Sequence, residues 1–336
     1  MGNDSELLTV RDLTVKLATD GGSLEVLSRV GFDVPRGKVV GLMGESGSGK
    51  SITALSIVRL LPEIGSAIRS GTVMFDGVDL TKLSERELEK IRGKQIGFVF
   101  QDPLASLNPV YRVGSQIVEA IRLHEHIPAK AARVRAIELL RRVGVPQPEE
   151  RVDAYPHELS GGLRQRVMIA VAIACSPALV IADEPTSALD MVTQRQIVLL
   201  FRDLVRTQGM SLLIIAHDPA LLAELSDELV VMYAGQVVEH GPAKRVLEKP
   251  AHPYTMALLR SVLPADFGAV VQPRSLLPVV EGHPPDLRRV PLGCRFQPRC
   301  DSAFDDCATR KPHLMKLPLD QGEARCLLLG DKESSP

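Results

Sequence analysis

The segment from residue 44 to residue 51 constrains this chain most. It fits the pattern G-x-x-x-x-G-K-[S/T] at every fixed position, with Gly44, Glu45, Ser46, Gly47, Ser48, Gly49, Lys50 and Ser51. An apolar run at 39–43 predicts a buried strand before it, and residues 50–61 predict a helix after it. Glycines let backbone N–H groups turn towards a polyphosphate, and the helix N-terminus adds positive potential. We expect Lys50 to reach the β- and γ-phosphates and Ser51 to bind Mg²⁺, so the loop predicts a nucleoside triphosphate site.

The composition excludes several classes of protein. The 40 basic and 41 acidic residues leave a net charge of −1, so no global basic field points to nucleic acid. No apolar run reaches the roughly 18 residues that a membrane-spanning helix needs. The N-terminus has no basic region before an apolar core, as a signal peptide would. We therefore expect a cytoplasmic protein, whose membrane role would come through a partner.

Apolar runs and turn residues outline an α/β chain. Alternating patterns predict strands at 7–17 and 24–34, joined by a turn at 20–23. Continuous apolar runs that alternate with helices predict a mostly parallel sheet covered on both faces. A helical block at 110–175 interrupts that alternation. Further elements are predicted as strands at 72–75, 95–100, 179–182 and 211–216, and as helices at 113–123, 130–143, from 160 towards Cys175, and at 191–207.

Two carboxylates follow the apolar strand at 179–182. Asp183 at the end of such a strand is well placed to hold Mg²⁺ beside Ser51. Glu184 can then reach a water in line with the γ-phosphate and act as a general base. Downstream of the phosphate loop, this pair predicts a Mg²⁺ ligand and a general base beside a bound nucleoside triphosphate.

Several further motifs resemble those of the ATP-binding cassette (ABC) ATPases. Leu159 to Arg166 (LSGGLRQR) resembles the signature motif of that family, in which Ser160, Gly161 and Gly162 form a second anion site at a helix start. Gln101 matches the family's glutamine loop and is expected to contact Mg²⁺. The segment 187–190 resembles the D-loop, which ends at Asp190. His217 matches the switch histidine, which contacts the γ-phosphate and orients the attacking water.

The resemblance implies a fold, a boundary and a dimer. The fold would be an α/β P-loop NTPase of the ABC type, with a mostly parallel sheet core, an antiparallel β subdomain and an inserted helical subdomain. We place the nucleotide-binding domain at residues 1–255, with the helical subdomain at about 103–175. In this family the signature motif of one subunit closes over the ATP of the other, so a second ATPase subunit is expected, identical or related. The family's adenine-stacking aromatic corresponds here to Leu17, which predicts weaker stacking.

Three segments resemble the oligopeptide and dipeptide importers within that family. They are the segment 101–109 (QDPLASLNP), the segment 252–259 that begins His252-Pro253-Tyr254-Thr255, and the cysteine-bearing tail in residues 256–336. The resemblance implies two transmembrane permease subunits as partners, an extracytoplasmic solute-binding protein as an indirect one, and a peripheral position on the cytoplasmic face of the membrane. It does not imply nucleic acid as a partner.

Four cysteines lie in the tail: Cys294, Cys300, Cys307 and Cys326. Their spacing does not match the short C-x₂₋₄-C pairs of zinc knuckles. Four thiolates suit a [4Fe–4S] cluster, which some relatives of this subfamily are thought to carry, and zinc or unligated thiols remain open. A cluster would most simply staple a module too small to form its own core.

Two alternative functions remain at this stage. A nickel or other small-solute importer would share the cassette and much of the tail, because the ATPase does not touch the cargo. A DNA-repair or translation ATPase usually carries two cassettes, coiled coils or basic arms, and none is visible here. We therefore predict the ATP-hydrolysing subunit of a peptide importer, with ATP and Mg²⁺ as its ligands.

Overall fold

The computed structural model describes residues 6–19, 22–61, 66–261, 280 and 282–330. The strands are β1 (Glu6–Thr19), β2 (Gly22–Pro35), β3 (Val39–Met43), β4 (Ser66–Phe75), β5 (Val78–Asp79), β6 (Ile96–Val99), β7 (Leu179–Asp183), β8 (Ser211–Ile215), β9 (Glu228–Tyr233), β10 (Gln236–Pro242), β11 (Met315–Lys316) and β12 (Glu323–Ala324). The first half of the predicted turn at 20–23 lies outside the described residues.

The α-helices are α1 (Lys50–Ile57), α2 (Glu85–Glu89), α3 (Pro103–Ser106), α4 (Val113–His124), α5 (Ala129–Arg142), α6 (Pro148–Arg151), α7 (Gly161–Ala172), α8 (Met191–Gln208), α9 (Pro219–Leu225), α10 (Ala243–Glu248), α11 (Pro253–Arg260) and α12 (Asp306–Thr309). None of these described helices combines the length and the apolar character needed to cross a membrane. The described residues form two compact units, one within residues 1–8, 34–39 and 74–216, the other within residues 9–33, 40–73 and 217–336.

The first unit contains a parallel sheet of β6, β7 and β8. Ile96 pairs with Leu179, and Leu179 pairs with Ser211. All residues of β7 and β8 are buried, because helices and strands cover continuous apolar runs on both faces. Both strands therefore confirm the sequence prediction.

The helical block of the first unit contains α3 to α7, as expected from the sequence. Helices α4 and α5 pack together through their apolar faces, which include Ile117, Ile121, Leu139 and Leu140, all of them buried. Helix α7 ends at Ala172, short of the predicted Cys175. Pro177 follows closely, and a residue before proline is disfavoured in the helical conformation, so Ser176 takes φ 52 instead.

The second unit contains a mixed sheet in the order β11-β12-β10-β9-β3. Strand β3 is wholly buried and pairs in parallel with β9, with Val40 opposite Glu228. Strands β9 and β10 form a hairpin whose two loop residues, Ala234 and Gly235, have φ of 45 and 78, as a type I′ turn requires. Strand β12 then pairs with β10, so the tail extends this sheet.

The sequence prediction also misplaced the end of α1, and it did not predict several elements. Helix α1 ends at Ile57 rather than at residue 61, because Arg59 adopts the left-handed conformation with φ 51. The hairpin β9–β10 and helices α9 and α10 had no predicted counterpart. The apolar runs of these elements are short. The turn of the hairpin contains one glycine, Gly235, and a single glycine is a weak sign of a turn in a sequence.

Candidate functional site

The phosphate loop lies between β3 and α1, as predicted. Gly44 has φ 153 and lies so close to the next strand that an added Cβ would be 2.3 Å from the carbonyl oxygen of Met232. Only glycine therefore fits there. Lys50 is the first residue of α1, and its buried ammonium donates to the carbonyl oxygens of Gly44 at 2.8 Å and Glu45 at 2.9 Å. The loop is thus closed over its own lysine.

The loop is also tied to the β9–β10 hairpin of the same unit. The Gly235 amide of the hairpin donates to the carbonyl oxygen of Ser48 at 2.8 Å. On the helix side, the Thr53 hydroxyl of α1 donates to the carbonyl oxygen of Gly49 at 2.9 Å. Ser51, the predicted Mg²⁺ ligand, is the second residue of α1 and is half-buried. These contacts hold the loop at the carboxyl end of β3, where a phosphate group is expected.

Glu45 makes contacts that sequence reasoning missed. Its backbone N–H donates to the Tyr254 hydroxyl at 2.8 Å, and its carboxylate accepts two hydrogen bonds from the Arg299 guanidinium at 2.8 and 3.0 Å. Burial alone would lower the pKa of Arg299, but its hydrogen bonds to Glu45 and Tyr233 outweigh burial and raise that pKa. Arg299 and Glu45 are 254 positions apart in sequence, so no local pattern could have revealed the pair.

In the first unit, Gln101 and Glu184 lie together. The Gln101 amide donates to the Glu184 carboxylate at 2.9 Å. Glu184 follows β7 with φ 45, an uncommon conformation for a residue with a side chain, and its amide donates to Ile215 at 3.0 Å. Asp183, the last residue of β7, is buried. The structure therefore brings the predicted base and the predicted glutamine into direct contact.

The signature residues begin α7 of the same unit. Ser160 is the N-cap, and its hydroxyl accepts from the Leu163 amide at 3.4 Å. Ser160 and Gly161 are exposed, whereas Gly162 lies against Thr193, where an added Cβ would be 2.7 Å from Thr193 Cγ2. Both the Thr193 amide and its hydroxyl donate to Asp190, at 2.9 and 2.8 Å. Thr193 thus joins the signature motif to the predicted D-loop aspartate.

Two further predicted residues lie in the second unit. His217 is exposed and follows β8 in sequence. The adjacent Asp218 caps α9 by accepting from the Ala220 amide at 2.8 Å. Leu17, which corresponds to the family's stacking aromatic, is a half-buried residue of β1.

The four tail cysteines are free thiols close enough to interact electrostatically. The Cys294 amide donates to the Cys307 carbonyl oxygen at 2.9 Å. Burial raises the pKa of the Cys294 and Cys300 thiols, and burial with the neighbouring thiols raises that of Cys326 to about 11. Across the described residues, no three His, Cys, Asp or Glu side chains are arranged to hold a metal ion. The four thiols supply the donor chemistry of a thiolate-ligated metal, but among the described residues they do not converge on a single ion as the ligands of zinc do.

Comparison with known families agrees with these motifs. A family model described as ABC transporter matches residues 27–187. A second model, described as the C-terminal region of the oligopeptide/dipeptide transporters, matches residues 238–307. The second match includes Tyr254, Arg299 and three of the four tail cysteines.

Curated relatives match over most of their length. The chain is 43% identical to the oligopeptide transport ATP-binding protein OppD of Bacillus subtilis, over 93% of this chain and 86% of that protein. It is 44% identical to the dipeptide transport ATP-binding protein DppD of Escherichia coli, over 95% of this chain and 96% of that protein.

Solved structures share the fold. A dimeric ATP-binding cassette in a post-hydrolysis state with ADP and phosphate has a TM-score of 0.64 at 28% identity, and the match covers 70% of this chain and 98% of that one. The cbiO1 subunit of an ABC transporter complex from Clostridium perfringens has a TM-score of 0.62 at 28% identity, over 73% of this chain and 92% of that one.

Proposed function

The chain belongs to the ABC transporter ATPases, in the branch that carries the oligopeptide/dipeptide transporter C-terminal region, and we propose how its residues divide the work of ATP hydrolysis and peptide import. It is the ATP-hydrolysing subunit of a peptide importer. The relatives are named for oligopeptide and dipeptide transport, which favours peptides over nickel as cargo and disfavours a non-transport ATPase.

We assign ATP binding to the phosphate loop, from Gly44 to Ser51. Lys50 would exchange the carbonyl oxygens of Gly44 and Glu45 for phosphate oxygens, which satisfy the same ammonium donors with a stronger charge interaction. Ser51, Asp183 and Gln101 present hydroxyl, carboxylate and amide oxygens, the donor set that Mg²⁺ prefers. Bound Mg²⁺ would neutralise part of the negative charge of the phosphates.

We assign the general base to Glu184. The observation that carries this assignment is the hydrogen bond from Gln101 to its carboxylate at 2.9 Å. That bond aims the carboxylate, and the backbone bond to Ile215 fixes its position at the end of β7. A carboxylate held in this way can accept a proton from an attacking water. His217 would orient that water and contact the γ-phosphate.

We propose that the exposed start of α7 acts on the ATP of a second subunit. Ser160 and Gly161 are exposed in this chain, and Asp190 is exposed beside Thr193. Helix α7 has twelve residues, so its N-terminus offers amide donors and positive potential to a phosphate. The similar cassette with ADP and phosphate is a dimer, which supports this arrangement.

We propose that the segment after the glutamine loop binds the membrane permease. Leu107 of the segment is buried, but Leu104 is exposed by 59%, and the two residues that follow the segment, Val110 and Tyr111, are exposed by 71% and 57%. Apolar side chains grouped on one surface segment are typical of an interaction site. Binding there would place the chain peripherally on the cytoplasmic face of the membrane, with two permease subunits as direct partners and a solute-binding protein as an indirect one.

For the four tail cysteines we propose a structural [4Fe–4S] cluster rather than zinc. A cluster binds each thiolate to a different iron, so the four sulfurs need not meet around one ion as they do at zinc. Anaerobic analysis of the purified chain should then find about four irons and four sulfides with a broad band near 400 nm. One zinc, or no metal, would refute the cluster without affecting the ATPase assignment.

The substitution Glu184→Gln tests the catalytic assignment. Glutamine can still accept the hydrogen bond from Gln101, so the geometry is kept and only the negative charge is lost. We expect kcat to fall by about 100-fold or more, with ATP binding retained and an ATP-dependent dimer visible by light scattering. Glu138→Gln, on the exposed face of α5, is the matched control. Unchanged turnover in Glu184→Gln would show that another group is the base.

A further inference from the structure

Within the part of the chain that the structure describes, the side chain of Arg299 joins the cysteine-bearing tail directly to the phosphate loop. Arg299 ends a short 3-10 turn (Gln297–Arg299) and is followed directly by Cys300. Its guanidinium makes a two-pronged ion pair with Glu45, the second residue of the loop, at 2.8 and 3.0 Å. The Arg299 side chain is only 5% exposed and that of Glu45 is 21% exposed. This is therefore a largely desolvated contact with fixed geometry, unlike an exposed surface ion pair.

Arg299 is itself held in place by other groups. It donates to the Tyr233 hydroxyl at 3.3 Å and to the carbonyl oxygen of Val280 at 3.0 Å. Its guanidinium also lies over the Tyr233 ring, 5.7 Å from the centroid. Because a planar guanidinium with this many fixed partners has few alternative positions, the position of Arg299 determines that of the Glu45 carboxylate.

An aromatic cluster joins the same two segments. Phe296, in the tail, packs edge-on against Tyr233 at 5.2 Å and Tyr254 at 5.4 Å, measured between ring centroids. The Tyr254 hydroxyl accepts from the Glu45 amide, and the Tyr254 amide donates to the buried imidazole of His252 at 3.0 Å. The backbone of Glu45 is thus bound to a tyrosine that packs against Phe296, and its side chain is bound to Arg299, which directly precedes Cys300.

The charge of Glu45 connects this contact with the binding of ATP. A carboxylate in a phosphate-binding loop repels a polyphosphate unless a cation neutralises it. Lys50 contacts the backbone carbonyl of Glu45, whereas Arg299 pairs with its carboxylate. Removing Arg299 would leave a partly buried negative charge in the loop and free the loop to move.

We propose that Arg299 is a positioning residue for ATP, through which the cysteine-bearing tail sets the ATP affinity of the phosphate loop. The proposal rests on the assignment of ATP binding to this loop. Arg299 acts through Glu45 and touches no reacting atom. Because linkage is reciprocal, ATP binding should in turn stabilise the tail around residues 293–300.

Equilibrium titration of the full chain with a fluorescent ATP analogue and Mg²⁺ tests the proposal. We expect Arg299→Ala to weaken ATP binding by about tenfold or more. Arg299→Lys keeps the charge but not the two-pronged geometry, so its affinity should lie between those of the wild type and Arg299→Ala. The double variant Arg299→Ala/Glu45→Gln should recover most of the affinity, because it also removes the unpaired charge. In the assembled transporter, Arg299→Ala should raise KM for ATP more than it lowers kcat.

Arg325→Ala is the matched control. Arg325 precedes Cys326 as Arg299 precedes Cys300, but its guanidinium donates to the carbonyl oxygens of Val237 and Pro312 rather than to Glu45. Wild-type affinity in Arg299→Ala, or an equal loss in both arginine variants, would overturn the proposal. A wild-type chain that binds no ATP would instead refute the assignment of the loop, and the proposal with it.

Hydrogen–deuterium exchange supplies a second readout. ATP should slow amide exchange in residues 293–300 of the wild-type chain and leave it unchanged in Arg299→Ala. A purely structural role for Arg299 would not produce that difference. Exchange in the wild-type tail that does not respond to ATP would refute the transmission between loop and tail.

Discussion

The hydroxyl of Tyr254 offers a specific test of how the phosphate loop is held. Tyr254 is fully buried, and its hydroxyl lies 2.8 Å from the amide of Glu45, from which it accepts a hydrogen bond. Burial raises the pKa of this hydroxyl well above its ordinary value, so it is neutral at physiological pH. The substitution Tyr254→Phe removes one oxygen atom and keeps the ring.

The expected magnitude follows from what is kept and what is lost. The ring contacts with Tyr233 at 4.5 Å and Phe296 at 5.4 Å are kept, so the burial of apolar surface is unchanged. The Glu45 amide loses its partner, and an unsatisfied buried amide costs about 1–3 kcal/mol. Since about 1 kcal/mol shifts the Tm of a 150–250-residue domain by about 2–4 °C, we expect a fall of several degrees.

Differential scanning calorimetry of the wild-type chain and of Tyr254→Phe measures this fall in Tm directly. Tyr111→Phe is the control, because Tyr111 is 57% exposed and its hydroxyl is expected to reach water. The fall in Tm should be confined to Tyr254→Phe and should be accompanied by weaker ATP binding. Equal Tm values for the two variants would show that the Glu45 amide does not depend on the tyrosine.

Three further predictions concern the turn, the D-loop and the permease surface. Gly235→Ala should destabilise the chain by roughly 1–3 kcal/mol more than Gly77→Ala in thermal unfolding, because both have φ near 78 but only at Gly235 would the new Cβ lie 2.4 Å from a backbone oxygen. Hydrogen bonds from Thr193 lower the pKa of Asp190 below its ordinary value of 3.8, so the stability that its charge adds is present above that pH and is lost as the pH falls through the lowered pKa. The stability difference between wild type and Asp190→Asn should therefore shrink below about pH 4 in thermal melts, and a constant difference would contradict the assignment. Leu104→Asp should abolish co-purification with the permease subunits while ATP binding by the isolated chain stays unchanged, and retained co-purification would place the permease surface elsewhere.

Local chemistry made the ATPase part of this protein predictable. A phosphate loop needs glycines, a lysine and a hydroxyl at fixed spacing, so residues 44–51 can be recognised from the sequence alone. The carboxylates after β7 and the Ser-Gly-Gly at the start of α7 are similarly short-range patterns. Buried strands such as β3, β7 and β8 are visible because a strand covered on both faces must be continuously apolar.

Helix and strand ends were less predictable, because they depend on single backbone conformations. Helix α1 ends early because Arg59 adopts the left-handed backbone conformation, which no residue pattern predicted. The β9–β10 hairpin was missed for a related reason. Its turn uses Ala234 at positive φ, which the fold imposes on a residue that does not prefer it.

Sequence alone therefore determined that this chain binds and hydrolyses ATP, because that function depends on closely spaced residues. Its role in a peptide importer was predicted by resemblance to that family. Tertiary structure alone decided that the cysteine-bearing tail contacts the phosphate loop. The pairing of Arg299 with Glu45 across 254 positions depends on the hairpin and on the aromatic cluster around Phe296. A charge pair at that separation forms only when the fold removes both groups from water together, and no local pattern encodes that event.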